Sequence, residues 1–415
     1  MKDYKAEKRK LHDFWAFVVF VIYGVTVNFL LSMQNTTQIA IFGPLEMKDY
    51  IYVAACIYGT IFVFGLGLYF FPTILMHISP LILPFLTAYE GFIMSGSFKS
   101  SNFIAAAISS VISLIIYFVF IMKNVKYSAA VAKAGTTVLF NNFMSFVIIV
   151  IIGTVPTAAQ SIYALSKISF QTEKFPIWAA VVIMQTYWLA YFVYYAQRVT
   201  TATLTYLEIV KTDNSLNTFC ESYKNTLFAV GSCALGSFLL ALVSTLRWCV
   251  SRNSRNDNEN LITKIIQLIA LILLKILETI IQTLNSWGFI YLAIHGTSYK
   301  DSLSQSLELI TKGDCSCLIN SFCLNSVLIV YMCVTSICFF TFRISSIRDS
   351  DIFTLESLAT ELAIGFIIIL GVQNGLNCFL SAAHTIMLTY EIDPVSVEHK
   401  HSKAANALRE QKLKK

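Results

Sequence analysis

Residues Leu261–Gly296 read LITKIIQLIALILLKILETIIQTLNSWGFIYLAIHG. A helix needs about 20 apolar residues to cross about 30 Å of hydrocarbon, and this stretch exceeds that length. It nevertheless carries Lys275, Glu278, Asn285 and Trp287. Polar groups in hydrocarbon are costly unless partnered, so a long apolar helix that keeps them serves a polar interior.

The rest of the chain follows the same pattern. Of 415 residues 56% are hydrophobic and 13% charged, against about 25% charged in a soluble domain. The apolar residues fall in blocks of span length: 14–33, 51–71, 73–94, 102–122, 138–164, 177–199, 226–250, 261–296, 318–342 and 355–390. The expectation is an all-α polytopic membrane protein of about ten transmembrane helices. It forms one membrane domain, 14–390, between a basic tail at 1–13 and another at 391–415. The block at 14–33 is too long for a signal peptide and is read as a retained first span.

Ten spans place both termini on one side. Lys2, Lys5, Lys8, Arg9 and Lys10 precede the first span, and Lys400, Lys403, Arg409, Lys412, Lys414 and Lys415 follow the last. The positive-inside rule makes that side cytosolic. Arg247, Arg252 and Arg255 then fall outside, against the rule, so the topology is least determined around spans seven and eight. The segment 123–135 is short, basic and amphipathic, and reads as a helix on the inner membrane surface. Asn35, in Asn35-Thr36-Thr37, is a weak glycosylation signal in the first outer loop.

Several chemistries lack residues to carry them. The cysteines lie mostly in apolar blocks, as small hydrophobes, and no disulfide framework is legible. The histidines lack metal-ligand spacing, and no phosphate-cradling glycine loop is present. No enzyme, metal or cofactor is expected. The basic tails adjoin spans and fit membrane anchoring better than nucleic-acid binding.

Two segments are more specific. Gly231-Ser232-Cys233-Ala234-Leu235-Gly236-Ser237-Phe238-Leu239-Leu240-Ala241 in span seven resembles the GSLAFGSLILA segment of the choline transporter-like family. Leu277-Glu278, Ile281, Leu284-Asn285 and Ala293-Ile294-His295-Gly296-Thr297 resemble its LExxIxxLN…AIYGT segment. Asp13 before span one and Tyr390-Glu391-Ile392-Asp393 after span ten sit where the family has similar features. The short first outer loop is similar to the fungal Pns-like branch. His295 replaces the usual Tyr, Ser286-Trp287 replaces Arg-Asn, and the cysteine-rich segment before span eight is absent. The resemblance implies a ten-span transporter of choline or a related amine in the plasma membrane.

A quaternary ammonium has no N–H donor, so its site needs aromatic faces and a counter-charge. Span six supplies rings: Tyr187, Tyr191 and Tyr194 share one helical face, and Trp188 lies on an adjacent one. Interface belts and helix packing are the ordinary uses of such rings. Glu90 is a further candidate for the substrate site. Lys275 and Glu278, three residues apart, either pair locally or couple charge to transport. His384 could relay a proton, as could His77, although packed histidines are commoner. Ser232 and Gly236 form a small-xxx-small pair for close helix approach. The expected activity is transport of a choline-like cation by alternating access, with Pro80, Pro84 and Pro156 as flex points. The alternative is a non-transporting membrane scaffold or lipid-interacting protein on the same fold. Expected partners are the small cation and the bilayer, with no nucleic acid.

Overall fold

The computed structural model describes residues 9–33, 47–95, 107, 110–111, 114–115, 117–167, 175–210, 215–253, 261–312, 316–348 and 355–413. Among these residues the secondary structure is helical throughout. Helices α1 (Phe14–Met33), α2 (Met47–Phe70) and α3 (Pro72–Ser95) come first. A π-helical turn, Tyr117–Ile121, leads into α4 (Met122–Asn141). Then come α5 (Phe143–Lys167), α6 (Phe175–Val210), α7 (Ser215–Phe228), α8 (Val230–Asn253) and α9 (Leu261–His295). The chain continues through α10 (Tyr299–Lys312), α11 (Ser316–Arg348), α12 (Leu355–Ile392), α13 (Pro394–Lys400) and α14 (Ser402–Leu413).

Seven helical stretches among the described residues are long and apolar enough to cross a membrane: Phe14–Met33, Ile51–Phe70, Phe143–Ala164, Trp178–Val210, Val230–Ser251, Ile269–His295 and Ile364–Ile392. Two shorter apolar stretches, Pro72–Leu86 and Cys323–Phe339, fall where spans three and nine were expected. About half of the expected fourth span, 102–122, lies outside the described residues, and its end falls in the π-helical turn and the start of α4; Asn35 lies outside them. The chain is an all-α polytopic membrane protein.

The chain divides into two compact units. The first comprises Met1–Pro44, Val147–Leu204 and Leu216–Glu308, and the second Leu45–Phe146, Thr205–Ser215 and Leu309–Lys415.

In the first unit α8 packs against α1 and α9. Ala16 and Phe20 of α1, Trp188 of α6, and Ala234 and Ala241 of α8 form one buried cluster. Hydrogen bonds set the helix directions. Tyr195 and Thr203 of α6 meet Asn285 and Ala293 of α9 in ascending order, so α6 and α9 run parallel. Gly236 and Ser244 of α8 meet Asn285 and Glu278 in descending order, so α8 runs antiparallel to both. This is the alternation that consecutive crossings require, in the region where charge counting was least decisive.

In the second unit α4 is central, packed by α2, α3, α11, α12 and α14. Segment 123–135 does form a helix, but it continues to Asn141 and buries Val125, Val131, Val138 and Leu139 completely. It belongs to the core of its unit rather than lying open on a surface, because its apolar stripe finds partners in α2 and α12. A β-carbon on Gly135 would lie 2.9 Å from the backbone nitrogen of Ala383, so only glycine allows α4 and α12 to approach this closely. Phe64 of α2 and Phe146 each meet the ring of Phe379 edge-on.

Three boundaries differ from the sequence expectation. Expected span seven, 226–250, is broken at Ala229 into α7 and α8. Expected span six continues from 199 to Val210, because Thr200 and Thr203 return their hydroxyls to the carbonyls of Ala196 and Val199 and so sit in a helix without exposing polarity. Most of the C-terminal tail is folded: Asp393 caps α13 through the Ser396 N–H, and Val397, Ala404, Ala405 and Leu408 are buried.

Candidate functional site

The first unit holds a ladder of polar groups between α6, α8 and α9. Its first rung centres on Glu278, which is only 4% exposed. Arg247 Nε lies 3.1 Å from Glu278 Oε2, and Lys275 Nζ lies 3.2 Å from the same oxygen. Ser244 donates to Glu278 Oε1 at 2.9 Å. With the Ser244 proton committed there, the 3.1 Å contact between Tyr191 Oη and Ser244 Oγ has the tyrosine as donor. The rings of Tyr187 and Tyr191 stack with centroids 6.1 Å apart. The carboxylate is buried while its two cations reach outward, with side chains 37% exposed for Arg247 and 60% for Lys275. One negative charge faces two positive ones.

The second rung lies about 10 Å along α9, seven residues on. Asn285 donates to Tyr195 Oη at 3.2 Å and to the Gly236 carbonyl at 3.1 Å. It accepts from Tyr299 Oη at 2.6 Å. Burial raises the Tyr299 phenol well above its ordinary value, and the Asn285 hydrogen bond acts against that rise. The third rung is Arg198, fully buried, whose Nε donates to the Ser286 carbonyl at 3.0 Å. Its Nη1 donates to Tyr194 Oη at 3.4 Å.

The ladder ends in a junction of helix ends. Asp13 Oδ2 accepts from Ser232 Oγ at 2.8 Å and from the Tyr299 N–H at 3.0 Å. Gly231 sits against the Asp13 backbone so closely that a β-carbon there would overlap it. Arg9 donates to the Ala293 carbonyl at 2.7 Å, where α9 is ending and its carbonyls lack helical partners. The residues that single out the sequence therefore have structural employment. Ser232 lies at the Asp13 contact, and Gly236 lies against Phe289 and Tyr299.

The structure brings Tyr187, Tyr191, Lys275 and Glu278 together. Trp188 faces elsewhere: it is buried among Phe20, Tyr23 and Phe238, and its Nε1 donates to the Ala234 carbonyl at 3.0 Å. Tyr194 serves the Arg198 rung. His384 is buried in the second unit and shares a 2.7 Å hydrogen bond with Ser321. His77 shares one of 3.0 Å with Tyr117. Glu90 lies on α3, with its side chain outside the described residues. Sequence reading missed Arg198, Arg247 as a partner of Glu278, and the Asn285–Tyr299 pair. Among the described residues no group of three His, Cys, Asp or Glu is placed to hold a metal. Two cavities among the described residues lie in the second unit, and neither is lined by α6.

The architecture is that of a multi-pass helical membrane protein with a buried polar seam. Comparison with known proteins supplies the family. Residues 104–395 match the family model described as plasma-membrane choline transporter, and the chain belongs to that family. A multi-pass plasma-membrane location accords with this membership. Two curated relatives are CTL-like proteins of Dictyostelium discoideum. One is 27% identical over 171 residues, which is 41% of this chain and 29% of the relative. The other is 31% identical over 96 residues, or 22% and 17%. Each match thus spans less than a third of the relative's own length.

Proposed function

We propose that this protein carries choline or a choline-like organic cation across the plasma membrane by alternating access, with about ten spans and both termini cytosolic. The observation that carries the reading is the stacked Tyr187–Tyr191 pair beside the buried Glu278 carboxylate, within a chain of the choline transporter family. Ring faces attract a cation by about 0.5–2 kcal/mol each, and a carboxylate in a low-dielectric site adds a charge term. Arg247 and Lys275 hold that carboxylate in this conformation. An incoming ammonium competes with them, so binding of the substrate frees two cations and can be coupled to rearrangement. Trp188 and Tyr194 brace α6 from its other faces. The test is binding of tritiated choline to the purified protein in lipid nanodiscs. Saturable binding, displaced by unlabelled choline and by tetramethylammonium but not by the neutral carbon isostere of choline, is expected. Binding absent, or displaced equally by the neutral isostere, would refute a cation site.

One observation favours a second reading, a non-transporting membrane scaffold or lipid-interacting protein. The rings of α6 are engaged in packing and hydrogen bonds. The binding experiment separates the two, since a scaffold has no saturable cation site.

A further inference from the structure

The second unit contains an open cavity of about 580 Å³ that the transport reading does not use. Its floor is a stripe of α4. Lys126, Lys133 and Thr137 recur there at helical spacing, and Ala129, Ala130 and Ala134 between them leave the space empty of side chains. Another wall is the end of α13 and the start of α14, where Lys400, Ser402 and Lys403 line it, and its rim is the break between α2 and α3 at Pro72.

Four lysines thus line one cavity, with no carboxylate among its described lining residues. Like charges gathered at this range repel, and an anion relieves them. Glu208, held by hydrogen bonds from Asn141 and Asn142, offsets part of the Lys400 charge and leaves Lys126, Lys133 and Lys403 to set the sign of the cavity. Lys133 is steadied with its Nζ 5.0 Å from the Tyr69 ring centroid. Thr73, Thr137 and Ser402 add hydroxyl donors. The volume suits a small organic molecule rather than a bare ion.

The surroundings favour a lipid source. Phe70 lines the rim and Phe71 follows it in the chain, 62% and 60% exposed, at the end of the apolar stretch Ile51–Phe70 and before Pro72–Leu86. Apolar aromatics beside clustered lysines at a helix end match a membrane interface, where each basic residue strengthens binding of anionic lipid. We propose that this cavity binds the phosphorylated headgroup of an anionic membrane lipid, with its acyl chains running along the Phe70–Phe71 rim.

The full-length protein in neutral detergent would be titrated with dioctanoyl phosphatidylinositol bisphosphate. Dioctanoyl phosphatidylcholine, the free inositol phosphate headgroup and inorganic phosphate serve as comparison ligands. Saturable binding of the first, at least tenfold tighter than each comparison ligand and weakened by salt, is expected. Lys126→Gln/Lys133→Gln should weaken it about thirtyfold, and the surface pair Lys400→Gln/Lys403→Gln, which leaves the α4 core untouched, by a similar factor. Lys224→Gln, an exposed lysine of the first unit, should leave it within twofold. Equal binding of phosphatidylcholine, or unchanged binding in both double variants, overturns the site. Equal binding of the free headgroup overturns the lipid source.

Discussion

Tyr299 and Asn285 are joined by a 2.6 Å hydrogen bond across the turn between α9 and α10, and the same amide reaches Gly236 of α8 and Tyr195 of α6. One side chain therefore ties four helices of the first unit. Replacing Asn285 with Ala leaves two buried hydroxyls and a carbonyl short of partners, at a cost of about 2–4 kcal/mol. The apparent melting temperature of detergent-solubilised Asn285→Ala should fall clearly, and Tyr299→Phe, which removes one bond and one hydroxyl, should fall less.

Asp13 makes an analogous tie between helix ends distant in the chain, reaching Ser232 and the start of α10. Asp13→Ala should cost about 1–2 kcal/mol, while Asp13→Asn keeps an acceptor oxygen and should lose less. Thermal denaturation of the two variants side by side checks the order. Equal losses would mean that charge rather than hydrogen bonding matters at this junction.

Gly135→Leu should damage the second unit more than an ordinary small-to-large change, because the obstacle is the backbone of Ala383, 2.9 Å away, and not a flexible side chain. Overpacking of this kind costs about 1–3 kcal/mol or more. Expression yield and monodispersity on size exclusion report it.

Docking of the C-terminal helices should weaken in acid. Burial, with a smaller contribution from the charge of Lys400, lowers the His401 imidazole from its ordinary 6.5. A histidine with a depressed folded value binds its proton more readily when released, so stability is full above pH 6.5 and falls as pH drops below it. Protection factors of residues 402–413, with the intrinsic pH dependence of amide exchange divided out, should be lower at pH 5.5 than at pH 7.5, and His401→Gln should remove the difference.

Much of the fold was legible because a bilayer imposes length and apolarity on each span, and these survive without any knowledge of partners. α1, α2 and α12 appear close to where hydropathy placed them. The failures share one cause. Span six was ended at Val199, just past Arg198, because the threonines that follow look polar, whereas their hydroxyls bond within the helix. The Arg247–Glu278 pair, the Asp13–Ser232 bond and the Asn285 network join residues far apart in the chain, and no periodicity encodes such pairings. The aromatics of α6 were visible as a group, but only packing separates Tyr187 and Tyr191, which turn toward Glu278, from Trp188, which turns toward α1 and α8.

The central claim rests on Glu278 as the counter-charge of a transported cation. Uptake of radiolabelled choline by a choline-uptake-deficient host should exceed the empty-vector control when the wild-type chain is expressed. It should fall more than tenfold, a loss above about 1.4 kcal/mol, in Glu278→Gln at matched surface expression. Uptake by the wild type no higher than vector, or undiminished uptake by Glu278→Gln, would contradict the account.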